Sequence, residues 1–331
     1  MQIHLKTLGC RLNEAELEAW AEGFKSKGHS LTLNPDTADI MVVNTCAVTQ
    51  EAVKKSRQII RRTQRNNPKA KLVVSGCYAS LDQNIQQDIP GIDLVINNSN
   101  KDDLVDITLE QLNLEAMPVQ ATEPGETSLF QRGRNRAFIK IQDGCRYRCT
   151  FCIVTIARGN ERSRTETDII NEINRCHQDG IQEIVLTGVH VGGYGSDINS
   201  SLYQLLKNIL NETDIPRIRL ASVEPWDLAD DFFFFFQNKR LMPHIHLPLQ
   251  SGSYSLLKSM ARRCKQAGFR QLVQSARTEI DNFNVTTDII VGFPGETEHE
   301  WQESIDFIHE IGFSHIHIFT YSRRKDTKAD Q

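Results

Sequence analysis

No uninterrupted apolar stretch in these 331 residues reaches the roughly 18 positions that a membrane-spanning helix needs. The N-terminus also lacks the layout of a secretory signal, since Met1 to Lys6 runs straight into a strand-like segment. From these two absences we expect a cytoplasmic protein with no membrane partner. Neither charge is in excess: 38 Lys plus Arg stand against 42 Asp plus Glu, a net charge of −4. The balance does not advertise a nucleic-acid binder, so any such binding rests on a local patch. Collagen-like, low-complexity and strongly biased segments are missing too. What remains is a globular composition, long enough for one large domain or two ordinary ones. Cysteine is not scarce. There are eight, and in a long cytosolic chain they serve metals or catalysis more often than disulfides.

Hydrophobic periodicity divides the chain. Residues Ile3 to Leu8 read as a strand, Glu14 to Lys27 as an amphipathic helix and Asp39 to Asn44 as a buried strand. Glu51 to Asn66 is again helical, and Lys71 to Ser75 is another buried strand. Short β-branched runs separated by helices predict a parallel sheet, and residues 1–112 read as one open α/β domain. Residues 113–135 carry Pro, Gly, Thr and Arg without a period, including Glu123-Pro124-Gly125-Glu126, and read as a linker. Residues 136–331 then give six strand-like runs: Ala137 to Gln142, Glu183 to Thr187, Arg217 to Ala221, His244 to Pro248, Val285 to Val291 and Ser314 to Phe319. Helical patterns at Glu166 to Gln178, Tyr203 to Leu210 and Glu298 to Ile311 lie between them. A full eightfold barrel takes about 250 residues, more than remain, so the expectation is a partial (β/α)6 barrel.

The strongest chemical signal directly follows the first barrel strand. Gly144-Cys145-Arg146-Tyr147-Arg148-Cys149-Thr150-Phe151-Cys152 is a C-x3-C-x2-C loop that can wrap three thiolates around three corners of an iron–sulfur cube. A cube normally takes four cysteines. No fourth lies close in sequence, which leaves one iron open to substrate. Structural zinc sites use four ligands and paired C-x2-C elements, and no second pair occurs here.

This segment resembles the hallmark loop of the radical S-adenosylmethionine (SAM) superfamily, with Phe151 in its aromatic place. The resemblance implies that the open iron binds the amino and carboxylate groups of SAM, and that an electron from the cluster cleaves SAM to a 5′-deoxyadenosyl radical. The same three cysteines would then be the catalytic centre.

Cys10, Cys46 and Cys77 are scattered in sequence, as ordinary core cysteines would be. Each nonetheless follows a predicted strand, and in an open parallel sheet those ends share the edge where ligands bind. Gly9 and Gly76 beside them allow close backbone approach. The residues alone leave a second cluster and a buried-cysteine reading both open. Thr7-Leu8-Gly9-Cys10-Arg11-Leu12-Asn13, Asn44-Thr45-Cys46-Ala47-Val48-Thr49 and Ser75-Gly76-Cys77-Tyr78-Ala79 are similar to the N-terminal domain of methylthiotransferases. That resemblance implies an auxiliary 4Fe-4S cluster on the three cysteines. Cys176 and Cys264 fall in helix-like segments outside any motif and read as structural.

Other barrel strand ends carry small or polar runs. By resemblance, Thr187 and Gly188 lie near the SAM amino group and Glu224 near the ribose, while Gly292, Pro294 and Gly295 border the adenine. The stretch from Arg158 to Arg164 matches a basic segment found after the cluster loop in these enzymes. His190, His244 and His246 read as polar barrel lining without a ligand role.

Lys54, Arg57, Arg61 and Arg65 recur at helical spacing and form one positive stripe. The stripe reads either as a solvated helix face or as a phosphate-binding surface. Within the methylthiotransferases, three stretches look most like the branch that modifies threonylcarbamoyladenosine beside the tRNA anticodon: residues 54–62, 186–195 and 246–252. The resemblance implies tRNA as substrate, an electron donor of the flavodoxin or ferredoxin type, two 4Fe-4S clusters and SAM. Alternative readings are action on isopentenyladenosine in tRNA or on a ribosomal-protein aspartate. A rival of another class is a zinc-stapled, non-catalytic RNA-binding protein. The family's small C-terminal β-barrel is expected to be missing, and five consecutive phenylalanines, Phe232 to Phe236, have no functional reading.

Overall fold

The short β-branched runs of the first hundred residues cannot bury both faces unless helices cover them, and the chain supplies those helices between successive strands. The computed structural model describes residues 1–112, 135–229 and 231–331, so the expected linker lies almost wholly outside the described residues. The chain forms two compact units. Met1–Arg134 with Ile156–Gly159 make the first, and Asn135–Thr155 with Asn160–Gln331 make the second.

In the first unit the elements run β1 (Gln2–Thr7), α1 (Arg11–Ser26), β2 (Ser30–Leu31), β3 (Ile40–Thr45), α2 (Gln50–Asn66), β4 (Lys71–Gly76), α3 (Cys77–Leu81), α4 (Ile85–Asp88), β5 (Leu94–Ile96) and α5 (Leu104–Gln111). The sheet is wholly parallel, in the order β2-β1-β3-β4-β5. Every residue of β3 is buried, as a central strand covered on both faces requires. One layer packs Ile3, Leu5, Trp20 and Phe24 against Val42 and Val73. The opposite layer packs Met41, Val43, Leu72 and Val74 against Ile60 and Tyr78.

The second unit continues with β6 (Arg136–Lys140), β7 (Gln142–Asp143), α6 (Val154–Arg158, whose last residues belong to the first unit), β8 (Arg162–Ser163), α7 (Glu166–Gln178), β9 (Glu183–Thr187), α8 (Leu202–Glu212), β10 (Arg217–Leu220), β11 (His244–His246), α9 (Tyr254–Ser259), α10 (Gln266–Glu279), β12 (Asn284–Val291), α11 (Glu298–Ile311) and β13 (His315–Thr320). Two three-stranded parallel sheets, β10-β9-β6 and β11-β12-β13, are joined by parallel bridges at Ile218–Leu241 and Ser222–His246. The resulting order, β6-β9-β10-β11-β12-β13, is that of an open partial (β/α)6 barrel. A capping box between Thr297 and Glu300 starts α11, and left-handed Gly312 ends it. Among the described residues, no helix is long and apolar enough to cross a membrane.

Three details depart from the sequence reading. The first barrel strand stops at Lys140 rather than Gln142, and Gln142 and Asp143 pair antiparallel with β8. The Gln142 side chain turns to donate to the carbonyls of Asp143 and Gly144, which draws the chain away from the sheet. Cys264 is buried in an extended connector just before α10, not in a helix, because Arg262 two residues earlier is anchored by Glu224. The phenylalanine run forms a short 3-10 helix in which Phe232, Phe233, Phe235 and Phe236 are buried and only Phe234 faces solvent. Phe283 stacks edge-on to two of them, so the run is core rather than a surface patch.

Candidate metal centres

Strands β1, β3 and β4 are neighbours running the same way, so the residues just past their C-terminal ends fall along one edge of the first sheet. Cys10 stands at the N-terminus of α1, Cys46 follows β3 and Cys77 opens α3. A Cβ built on Gly9 would sit only 3.1 Å from the Cys46 sulfur, with the glycine at φ +121°. Gly76, at φ +98°, presses against the Thr45 backbone so tightly that a Cβ would lie 2.3 Å from its carbonyl oxygen. Both glycines are therefore required by the approach of the cysteine-bearing loops.

Cys46 is buried and Cys10 exposed; desolvation around the sulfurs nevertheless raises both thiols, the neighbouring thiols push them further, and Arg158 opposes the rise. Three sulfurs within electrostatic reach of one another, all free of disulfides, form a donor set that fits a metal–sulfur group. Around them lies a buried polar network. Arg158 donates from Nε to the Cys77 sulfur at 3.2 Å, from Nη1 to Glu16 at 2.9 Å and from Nη2 to Asn13 Oδ1 at 2.8 Å. Glu16 also meets Lys101 at 2.6 Å and accepts from Asn44 at 3.0 Å. The Cys10 thiol donates to Asn13 Oδ1 across 3.7 Å. The basic stretch after the cluster loop was visible in the sequence; that Arg158 contacts Cys77 was not.

In the second unit the C-x3-C-x2-C loop leaves the barrel at the C-terminal end of β6, as chemistry on a βα scaffold requires. Gln142 fixes it. Its carbonyl oxygen accepts from the backbone amides of Val189 and His190, while its amide holds the Gly144 carbonyl. The loop is closed locally by a hydrogen bond from the Cys152 amide to the Cys149 carbonyl, and Thr150 is tied to the Met260 and Ser259 carbonyls. Phe151 packs on Leu256, Met260 and Phe293. Burial raises the Cys145 thiol to about 12 and the Cys152 thiol to about 11, with neighbouring thiols contributing. Burial also raises Cys149, against the pull of Arg262, whose guanidinium lies 3.9 Å from its sulfur. Thiols protonated in the metal-free protein release protons when they bind metal.

Arg262 grips Glu224 through both guanidinium nitrogens, at 3.0 and 2.7 Å, and stacks over Trp226 at 4.5 Å. The expected ribose residue is thus already ion-paired. Thr187 is buried at the end of β9 and Gly188 follows it, 3.0 Å from Gln142 for an added Cβ. Gly292 and Gly295 have φ of +76° and +84° and flank Pro294 in the turn after β12, where Glu296 accepts from the Gly292 amide.

Two groups escaped the sequence reading. His190 is buried between Glu161 and Asp227, and Asp227 also accepts from Tyr147 of the cluster loop at 2.7 Å. Burial alone would lower the His190 pKa, but the two carboxylates raise it. His246, Asp288 and His317 each offer a ligand atom within 4.8 Å of the others, with His246 Nε2 3.2 Å from Asp288. Their residues come from three strands, so only pairing brought them together.

In the first unit, Lys54, Arg57, Arg61 and Arg65 are all exposed on α2. Arg57 is not free, since it donates to the Tyr78 hydroxyl at 2.7 Å and pairs with Asp82 at 3.5 Å.

Comparisons with known proteins agree with this layout. The model of the Radical SAM superfamily matches residues 139–308, and one described as uncharacterized protein family UPF0004 matches residues 2–97. The partial barrel and its three-cysteine loop thus define a radical SAM protein. The chain is 38% identical to the threonylcarbamoyladenosine tRNA methylthiotransferase MtaB of Bacillus subtilis, over 99% of this chain and 75% of that one. Identity to the protein of the same name from Thermotoga maritima is 36%, over 99% and 76%. The tRNA-2-methylthio-N(6)-dimethylallyladenosine synthase of Staphylococcus haemolyticus is 34% identical, over 98% and 66%. The radical SAM methyltransferase TsrM of Kitasatospora setae shares the fold, with a TM-score of 0.74 at 14% identity, over 99% of this chain and 77% of that one. The chain belongs to the radical SAM methylthiotransferase family.

Proposed function

We propose that the protein is a tRNA methylthiotransferase that replaces a ring C–H of threonylcarbamoyladenosine, beside the anticodon, with a C–S–CH3 group. The observation that carries this reading is the placement of two cysteine triplets, one spread over the C-terminal ends of three parallel strands and one on the single loop after β6, in a chain 38% identical to an enzyme named for that reaction. Cys145, Cys149 and Cys152 would hold one 4Fe-4S cluster with an iron left for SAM, and Cys10, Cys46 and Cys77 an auxiliary one. When bound, these groups supply the electron that cleaves SAM and the sulfur, with SAM as the source of the radical and of the methyl group.

The protein's own residues bind and orient. Gln142 ties the cluster loop to the turn that carries Gly188, so ligand contacts at Thr187 and Gly188 would be fixed relative to the cysteines. The Arg262–Glu224 pair sets a rigid polar wall beside Cys149, and the turn of Gly292, Pro294 and Gly295 leaves backbone open to a flat base. Lys54, Arg61 and Arg65 form the electrostatic footprint expected for RNA, beside a surface depression of about 400 Å³ lined by Gln50, Val53, Lys54, Arg57, Gln58 and Arg61. Reduction would come from a flavodoxin- or ferredoxin-type donor.

The test is anaerobic reconstitution followed by incubation with SAM, reductant and tRNA bearing either threonylcarbamoyladenosine or isopentenyladenosine, with the nucleosides analysed by mass. A methylthio product from the first tRNA, lost in Cys149→Ala, is the expected result. Product only from the isopentenyl substrate, or from a ribosomal-protein aspartate supplied in parallel, would move the chain to another branch. Zinc without iron or sulfide would refute the enzymatic reading altogether.

A further inference from the structure

Burying an arginine is costly unless its charge and its donors are all used. Arg158 is buried, and three of its donors are directed to three different acceptors: the Cys77 sulfur, the Glu16 carboxylate and the Asn13 amide oxygen. Glu16 does not belong to Arg158 alone, because the fully buried Lys101 ammonium shares it at 2.6 Å. The guanidinium is therefore clamped from two sides, and its Nε–H is left pointing at a sulfur. Asn13 strengthens the aim, since its Oδ1 takes both the Arg158 bond and the contact from Cys10, while its amide is fixed by the Leu8 and Thr45 carbonyls. A structural anchor for residues 156–159 already exists in the Asn98 bond to the Ala157 carbonyl at 2.7 Å, so the arginine's contact with Cys77 is not needed merely to hold that segment.

We propose that Arg158 is a positioning and tuning residue for the auxiliary cluster, raising its reduction potential through an N–H···S bond to Cys77 and a fixed positive charge. The inference rests on the reading that Cys10, Cys46 and Cys77 hold such a cluster. Its physical basis is general. Reduction adds negative charge to an iron–sulfur group, and hydrogen bonds to its sulfurs together with nearby positive charge stabilise the more negative state. A cluster so tuned is easier to reduce than one facing only apolar side chains.

The full chain carrying Cys145→Ala, Cys149→Ala and Cys152→Ala isolates the auxiliary cluster, which is reconstituted anaerobically and titrated with redox dyes while its spectrum is followed. In this background Arg158→Gln should shift the midpoint potential to more negative values. Arg158→Lys, which keeps the charge but cannot reproduce the Nε geometry, should shift it in the same direction by less. Should Arg158→Gln fail to load iron, the lysine variant decides alone: a downward shift supports the proposal and an unchanged potential overturns it. Equal potentials in loaded Arg158→Gln and its parent overturn the tuning role while leaving the cluster intact. A parent that binds no iron overturns both the cluster and the inference built on it.

Discussion

Replacing Glu16 by glutamine removes the carboxylate that Lys101 and Arg158 share, while leaving side-chain volume almost unchanged. Glu16 and both cations have side chains at most 2% exposed, so water cannot take over the lost interaction. Breaking a buried ion pair by removing one partner costs about 3–5 kcal/mol. The Asn44 bond to Glu16 at 3.0 Å can survive in the amide, so it adds little to the loss. Hydrogen exchange on the full chain, resolved by peptide, is the suitable assay, because each unit serves as control for the other. Amides of β3 and β4 should exchange faster by roughly two to four orders of magnitude, at about 1.4 kcal/mol per tenfold. Those of β9 and β10 should not change. Adding Lys101→Met to Glu16→Gln removes one of the two cations and should restore a large part of the protection. If β3 and β4 in Glu16→Gln stay within about 1 kcal/mol of the parent, the network does not stabilise the first unit and the reasoning fails.

Further outcomes follow from other sites. Gly76→Ala places a Cβ 2.3 Å from the Thr45 carbonyl oxygen at a φ of +98°; beyond the roughly 1–3 kcal/mol of strain in this glycine-only backbone conformation, the β4 end must shift, lowering the melting temperature and, on the proposed reading, the iron that Cys77 would hold. His190 has a pKa raised above 6.5 by Asp227 and Glu161, which outweigh the opposing effect of burial. Its contribution to stability is therefore full below the unfolded value and lost as pH rises through the folded one. Denaturant titrations across that window should show the loss in the parent and not in His190→Gln. Lys54→Ala with Arg61→Ala and Arg65→Ala should weaken tRNA binding and flatten its logarithmic salt dependence by about 2. Arg57→Ala should flatten it less, since that guanidinium is engaged by Tyr78 and Asp82; an unaltered slope in the triple variant would remove α2 from the RNA surface.

The cysteine loop was legible because its three thiols are local: a C-x3-C-x2-C spacing and an aromatic neighbour define it before any folding. The alternating strands and helices were legible for the same reason, since a buried parallel strand leaves a run such as Met41-Val42-Val43 that periodicity detects. Short elements were not. The three residues of β5 and the connector around Cys264 carry too little period to read. The phenylalanine run could not be read because a continuous apolar stretch gives no face; only the 3-10 winding of residues 232–237 showed which rings turn inward.

The sequence by itself determined the local chemistry: which residues can hold metal, where strands give way to loops, and which helix face carries positive charge. Tertiary structure decided the partnerships. The edge shared by Cys10, Cys46 and Cys77 exists because β1, β3 and β4 pair in parallel. Arg158 meets Cys77 across 81 positions and Glu16 across 142, while Glu224 is claimed by Arg262 rather than left open. Contacts between such distant residues depend on strand order and on where the chain doubles back, and no local pattern encodes either.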